Sequence, residues 1–400
     1  NHAKINDFFC SPLLIFIFFH LIITFISLSL LFIPIYISVI YSNLYMKKVN
    51  QFLFVCCTIS MMSCNNKNIV YPVTEKCNQQ DNYFGTVVND PYRWLEDDMS
   101  EKTANWVKAQ NEVTFNYLDQ IPFRDEMKKS LTEKWNYPKF SSPFKINGRW
   151  FMYKNTGLQN QSVLYLLDDW NDEEGTLLLD PNNLSTDGTV ALSGIEVSKD
   201  GKTLIFSISR GGSDWNEFLF MDIDSKKMLD DHLKWIKFSG IEAFEDGIIY
   251  NRYPEPKQGD ELKGANENCM VCFHKIGTPQ SEDVVLYNDP ENPNRTFSLS
   301  VSDDEKYMFL YGSESTSGNS LAFKKSNKSK KTKFTSVIDN FNNDTYIIEV
   351  IDNKFYALTN VGAPLYRVVL IDPKNPKPEN WTEIIPQGDC VIQGVSSIGN

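Results

Sequence analysis

From Pro138 onward the chain repeats one pattern: a two-residue turn signal followed at once by a short apolar run. Arg149–Tyr153 follows Asn147-Gly148, Thr203–Ser207 follows Asp200-Gly201, and Ile248–Tyr250 follows Asp246-Gly247. Tyr307–Tyr311 follows Asp303-Asp304, and Phe355–Leu358 follows Asp352-Asn353. A turn pair opening onto an apolar run predicts a β-hairpin. With Trp150, Leu204, Ile248, Met308 and Phe355 as markers, the intervals are 54, 44, 60 and 47 residues. A period near 50 with several strands per unit predicts a β-propeller, one four-stranded blade per repeat. A β-sandwich also has frequent turns, but not one turn type heading the same kind of strand in every repeat. Five blades are predicted, and Tyr366–Ile371 through Trp381 reads as part of a sixth.

Ahead of this region the period changes. Ser100 is placed to cap a helix that Glu101 opens, and Trp106, Ala109, Val113 and Tyr117 follow at helical spacing until Pro122. A second amphipathic stretch, Met127–Trp135, ends before Pro138.

The first 64 residues read as separate from the fold. Ser11–Tyr41 holds no Asp, Glu, Lys or Arg, and a run of about 20 apolar residues spans a bilayer as a helix. Residues 1–45 are therefore either a transmembrane anchor or a segment foreign to the native protein. Residues 46–64 have a signal-peptide layout: a basic start at Met46-Lys47-Lys48, an apolar stretch, and Ser63 before Cys64. This resembles a bacterial lipoprotein signal, which implies lipid attachment at Cys64, export, and a place in the cell envelope, periplasmic or membrane-anchored. Plain secretion is the alternative.

Composition narrows the function. With 39 basic against 51 acidic side chains the net charge is −12, which argues against a nucleic-acid partner, since that needs a basic face. The 13% aromatic content suits strands. Eight cysteines fall at 10, 56, 57, 64, 77, 269, 272 and 390. Cys269 and Cys272 form a lone CxxC, readable as a redox pair or half a zinc site. With no second such motif and strand-like neighbours, the two are expected on opposite faces of a strand, and no metal or cofactor is expected.

The most specific text is Phe84–Asp97, where Asp90-Pro91 opens a turn, Tyr92 and Trp94 are large aromatics, and Glu96-Asp97 favours a helix start. With the propeller pattern it resembles the amino-terminal part of the prolyl oligopeptidase family of serine peptidases. Asn155–Gln161, Leu179–Asn182, Asp187–Leu192, Gly212–Trp215, Gly277 with Ser281–Asp283, and Ile338–Phe341 continue the likeness, in order, over about Tyr71 to Gln387. The resemblance implies a mainly β fold. A seven-bladed propeller, with about five to six blades present in 138–400, would be preceded by a helical segment of an α/β-hydrolase domain in 65–137. It implies a monomer that hydrolyses short peptides after proline, with the propeller gating access. A Ser nucleophile would be activated by His and Asp, with backbone donors and a Tyr hydroxyl on the oxyanion.

The hydrolase motif itself is missing from this sequence. No Ser lies in a Gly-x-Ser-x-Gly context, Gly394–Gly399 having its closing Gly one residue late. Outside the amino-terminal hydrophobic region the histidines are His232, read as lying in a charged turn, and His274. Both are expected to be surface or blade residues rather than a base. The resemblance places the triad after the propeller, so this stretch is expected to be inactive alone and no catalytic residue is assigned to it. Trp215, Arg252 and Tyr287 lie in segments where the family places pocket-facing groups. Arg252 is a candidate for a peptide carboxylate, or more simply for a blade-to-blade salt bridge. The alternative function is a stand-alone propeller lipoprotein that binds a protein or glycan partner.

Overall fold

The computed structural model describes residues 69–328 and 332–398. The hydrophobic segment 1–45, the signal 46–64 and Cys64 lie outside the described residues. No helix among the described residues is long and apolar enough to cross a membrane. The chain falls into two compact units, the first ending at Tyr117 and the second beginning at Leu118.

In the first unit, β1 (Gln80–Tyr83) and β2 (Thr86–Asn89) form a hairpin whose tip, Phe84-Gly85, has two positive φ angles. The corner expected at Asp90–Trp94 is built around Arg93, which pairs with Asp81, Asp90 and Glu96. The helix α1 (Glu101–Leu118) then begins where the sequence places it. The Ser100 hydroxyl accepts from the Thr103 N–H at 3.2 Å, satisfying one of the orphan donors of the first turn.

In the second unit, α2 (Arg124–Trp135) precedes five sheets. Blade one holds β3 (Lys139–Phe140), β4 (Phe144–Ile146), β5 (Arg149–Asn155), β6 (Val163–Leu167) and β7 (Thr176–Leu179), with β3 and β4 both pairing β5. Blade two holds β8 (Val190–Val197), β9 (Thr203–Arg210), β10 (Asn216–Asp222) and β11 (Lys227–Ile236). Blade three holds β12 (Glu242–Phe244), β13 (Gly247–Arg252), β14 (Met270–Lys275) and β15 (Val284–Asn288). Blade four holds β16 (Thr296–Val301), β17 (Tyr307–Ser313), β18 (Ser320–Lys325) and β19 (Thr335–Ile338). Blade five holds β20 (Thr345–Ile351), β21 (Lys354–Thr359), β22 (Arg367–Ile371) and β23 (Thr382–Ile385). Each sheet is an antiparallel meander. The stretch from Tyr366 to Trp381, read from sequence as part of a sixth blade, instead supplies the third strand of blade five and its approach to the fourth.

Every marker residue falls on the second strand of its blade, and packing explains why. Successive residues of a strand face opposite sides, and in blades two, three and four both sides are covered by a neighbouring blade. On β9, Leu204, Phe206 and Ile208 enter the core shared with blade one, while Ile205 enters the core shared with blade three. On β17, Met308 and Leu310 face blade three, and Tyr307 and Phe309 face blade five. A strand buried on both faces reads as an unbroken apolar run. That run is the repeat seen in the sequence.

Candidate functional site

Two seams between blades are tied by the same device. Gln161, in the β5–β6 connection, donates to Val190 O and accepts from Leu192 N–H, both at 2.8 Å. Asn319, in the β17–β18 connection, donates to Thr345 O at 2.9 Å and accepts from the Thr345 N–H at 2.8 Å. Each amide thereby closes onto the first strand of the next blade. The corresponding β9–β10 connection of blade two carries Ser213, Asp214 and Trp215, and beside it lies a cavity of about 460 Å³.

The cavity is a polar trough. Ser207 and Ser209, two apart on β9, present their side chains to one face, joined by Ser193, Ser213, Ser239, Asn216 and the Asp214 carboxylate. Ser207 donates to Asn216 Oδ1 at 3.1 Å, and the Asn251 N–H fixes the Ser239 hydroxyl at 2.9 Å. Phe238 stands at the edge. It is 68% exposed and has a φ of 53°, a left-handed conformation that costs a non-glycine residue about 1–2 kcal/mol. Trp235, with φ 61°, strains the same segment. Hydroxyls gathered along the trough suit hydrogen bonding to an extended peptide backbone, and an exposed ring suits an apolar side chain.

Neither histidine activates a hydroxyl here. His232 lies within β11 rather than in a turn, and its Nε2 meets Glu217 at 2.6 Å. His274 on β14 is fully buried between two carboxylates, Nδ1 at 2.7 Å from Asp283 and Nε2 at 3.1 Å from Asp231. Both ring nitrogens face carboxylates, and a neutral imidazole has one N–H to give, so the site favours the imidazolium. Burial opposes that charge, but the bonds and charge of Asp283 and Asp231 outweigh it and raise the pKa. Asp231 also accepts from the Gly277 N–H at 2.6 Å, and Asp283 from the Tyr250 hydroxyl at 2.5 Å. Asp231 belongs to blade two and the rest to blade three, so the network ties the two blades. Sequence reasoning placed His274 in a blade but missed its partners. Asp231 is 43 positions away, and the one available signal was the Gly277 and Ser281–Asp283 motif. Among the described residues no group of three or more His, Cys, Asp or Glu is placed to hold a metal.

Residues 71–400 match the family model described as the prolyl oligopeptidase amino-terminal β-propeller domain. The chain belongs to the prolyl oligopeptidase family. It is 41% identical over 328 residues to a prolyl endopeptidase of Elizabethkingia meningoseptica, covering 82% of this chain and 46% of that protein. It is 34% identical over 364 residues to prolyl oligopeptidase A of Galerina marginata, covering 82% of this chain and 49% of the relative. Among solved structures, prolyl oligopeptidase B of Galerina marginata, bound to a 25-residue macrocyclization substrate, superposes with a TM-score of 0.71 at 30% identity, covering 80% of this chain and 48% of that one. The chain spans about half the length of the curated relatives it matches.

In this prolyl oligopeptidase propeller the sequence-derived pocket candidates do not converge. Trp215 lies behind the cavity, edge-on to Trp235 and Tyr253, with its Nε1 donating to Glu261 O at 2.6 Å and the Lys237 ammonium 4.1 Å over its ring. It lines a smaller recess of about 180 Å³ under the connection 253–268. Tyr287 packs edge-on against Phe297 and Phe334 at the seam of blades three and four. Among the described residues Arg252 makes no salt bridge, and its Nε is buried without a hydrogen-bond partner. Instead its guanidinium lies beside the Cys272 thiol, which burial pushes up to about 11 against the pull of that charge. Cys269 and Cys272 enter different cores, one facing blade four and the other blade two, as a strand with opposed faces requires. The cavity residues Ser207, Ser209 and Phe238 were not foreseen. Serine on a strand face carries no signal of the space that the next blade leaves beside it.

Proposed function

We propose that this chain supplies the amino-terminal half of a serine endopeptidase that hydrolyses short peptides after proline. The propeller screens substrates, and the first unit together with the two helices completes an α/β-hydrolase body in which the nucleophile, acid and base reside. The observation that carries this reading is apolar surface left bare outside the blades. Tyr83, Phe84, Val87 and Val88 on the hairpin are exposed, as are Val107, Phe115 and Tyr117 on α1 and Met127, Leu131 and Trp135 on α2. On each unit such surface is costly in water, about 25 cal/mol per Å², and a partner that covered it would recover that cost. A propeller that acted alone would gain nothing from it. The serine-lined cavity and Phe238 would then receive the peptide on the way to the catalytic groups, hydroxyls meeting its backbone and the ring an apolar side chain.

The test adds a catalytic body in trans. The purified chain alone should not cleave a proline-containing reporter peptide. Mixed with a separately produced α/β-hydrolase body of a prolyl endopeptidase, it should co-elute and restore cleavage, with Phe238→Ala raising KM. Failure to associate, with the chain folded, would reject the reading. Export with lipid on Cys64 is a separate proposal. Labelling of the wild-type chain, but not of Cys64→Ser, by a fatty-acid probe in a bacterial host would support it.

A further inference from the structure

The first strands of blades two, three and four meet around a short one. β12 has three residues and lies against both β8 and β16. Above it, Lys199 in the β8–β9 turn reaches past blade three to Glu305 in the β16–β17 turn, with 2.9 Å between ammonium and carboxylate. Glu305 holds a φ of 55° to point there. Between the two strands that this link joins sits Glu242 of β12, with the Val301 backbone of β16 beside its carboxyl group. The charged and titratable groups around Glu242 come from every neighbour: Glu196 on β8, Lys199 in its turn, Asp303 beyond β16, and Tyr311 on β17.

We propose that Lys199 and Glu305 form a strap across blade three whose tightness follows the protonation state of Glu242. With Glu242 neutral, the Lys199 ammonium faces three carboxylates, Glu196, Asp303 and Glu305, and the strap holds the three first strands together. With Glu242 ionised, four carboxylates (Glu196, Glu242, Asp303 and Glu305) share one ammonium, and their repulsion loosens the strands. Burial, assisted by Glu196 and Asp303 and opposed by Lys199, raises the Glu242 carboxyl to about 7, so the change falls near neutrality. An exposed ion pair is weak by itself, and for that reason one neighbouring charge is enough to tip it. The inference concerns the propeller alone and stands whether or not the chain serves a peptidase.

Hydrogen exchange of the full chain, corrected for intrinsic rates, tests it at about pH 6 and about pH 8.5, readings that bracket the change. Peptides covering 196–202, 242–246 and 300–306 should be about tenfold better protected at the lower pH, and a reference peptide over 354–359 should not change. Glu242→Gln, neutral and of the same size, should hold the low-pH protection at both values. Lys199→Met and Glu305→Gln, changes in surface turns that leave the core intact, should show the weaker protection at both. Equal protection of the wild type at the two pH values overturns the proposal, as does a pH response that survives in Glu242→Gln or in both strap variants.

Discussion

Where blades four and five meet, Asn319 exchanges two hydrogen bonds with Thr345, the Thr345 and Thr359 hydroxyls share a third at 2.8 Å, and Phe355 receives three aromatic rings edge-on within 5.0 Å. Gly318 permits this closeness, since a Cβ there would sit 1.8 Å from Phe341 O. Where blades two and three meet, the place of the amide is taken by the serine-lined cavity, and the polar tie moves to the β14–β15 turn, as Asp231–His274–Asp283. The same architecture is thus closed once by neutral groups and once by an ion cluster. A neutral amide pair is satisfied at any pH. An imidazolium between two carboxylates holds only while it keeps its proton, and it leaves the connection end of the seam free to open.

The largest expected effect falls on the charged seam. His274→Ala removes the cation and leaves Asp231 and Asp283 buried, each 3% or less exposed, with no counter-charge. Breaking a buried pair on one side typically costs about 3–5 kcal/mol, with like-charge repulsion added here. Urea unfolding of His274→Ala should show that loss or no folded state at all. Asp231→Asn with Asp283→Asn should lose less than His274→Ala, because no unpaired carboxylate remains. At the neutral seam the most damaging change is Phe355→Ala, with an expected loss of about 3–5 kcal/mol from transfer and cavity. It should be insensitive to pH.

Asn319→Ala comes next. It leaves the N–H and C=O of fully buried Thr345 without that partner, a loss of about 1–3 kcal/mol. Ser209→Ala at the cavity should stay within about 0.5 kcal/mol, since its side chain lines the open trough. If the two changes cost the same, the contrast between a clamped and an open seam is wrong.

How far the sequence carried follows from the same packing. The blades were legible because the second strands of the inner blades carry apolar residues on both faces, Leu204, Ile205 and Phe206 for example, so five markers found five sheets among the described residues. The misreading after Tyr366 has the same cause: β22, a third strand, is also covered on both sides, so Val368–Ile371 imitates a new blade. What was illegible is what depends on two blades at once. His274 stands between Phe273 and Lys275 like any strand residue, and only the fold brings Asp231 to it. The cavity is illegible for the complementary reason, being a space left at the seam beside buried Ser207 and half-buried Ser209. Arg252 was read as a salt-bridge partner between blades, and no pattern in the sequence shows that its guanidinium lies beside the Cys272 thiol.

The smallest expected effect discriminates most finely between the seams. The folded pKa of His274 is raised above its unfolded value of 6.5, so its contribution is fully present below about 6.5 and is lost as pH rises through the folded value. Stability of the wild type should therefore decline on the alkaline side of neutrality. The window closes below 10.0, where Tyr250, itself raised by burial and by the Asp283 charge, would begin to contribute a decline of the same sign. Glu242 adds a further decline between 4.5 and about 7, but it is common to every variant compared and cancels in differences. His274→Gln should accordingly flatten the profile between about pH 7 and 9, while Asn319→Ala should lower it throughout and keep its slope. Denaturant midpoints at four pH values would decide. A slope that persists in His274→Gln, or one that disappears in Asn319→Ala, would mean that the pH response does not reside in the seam of blades two and three.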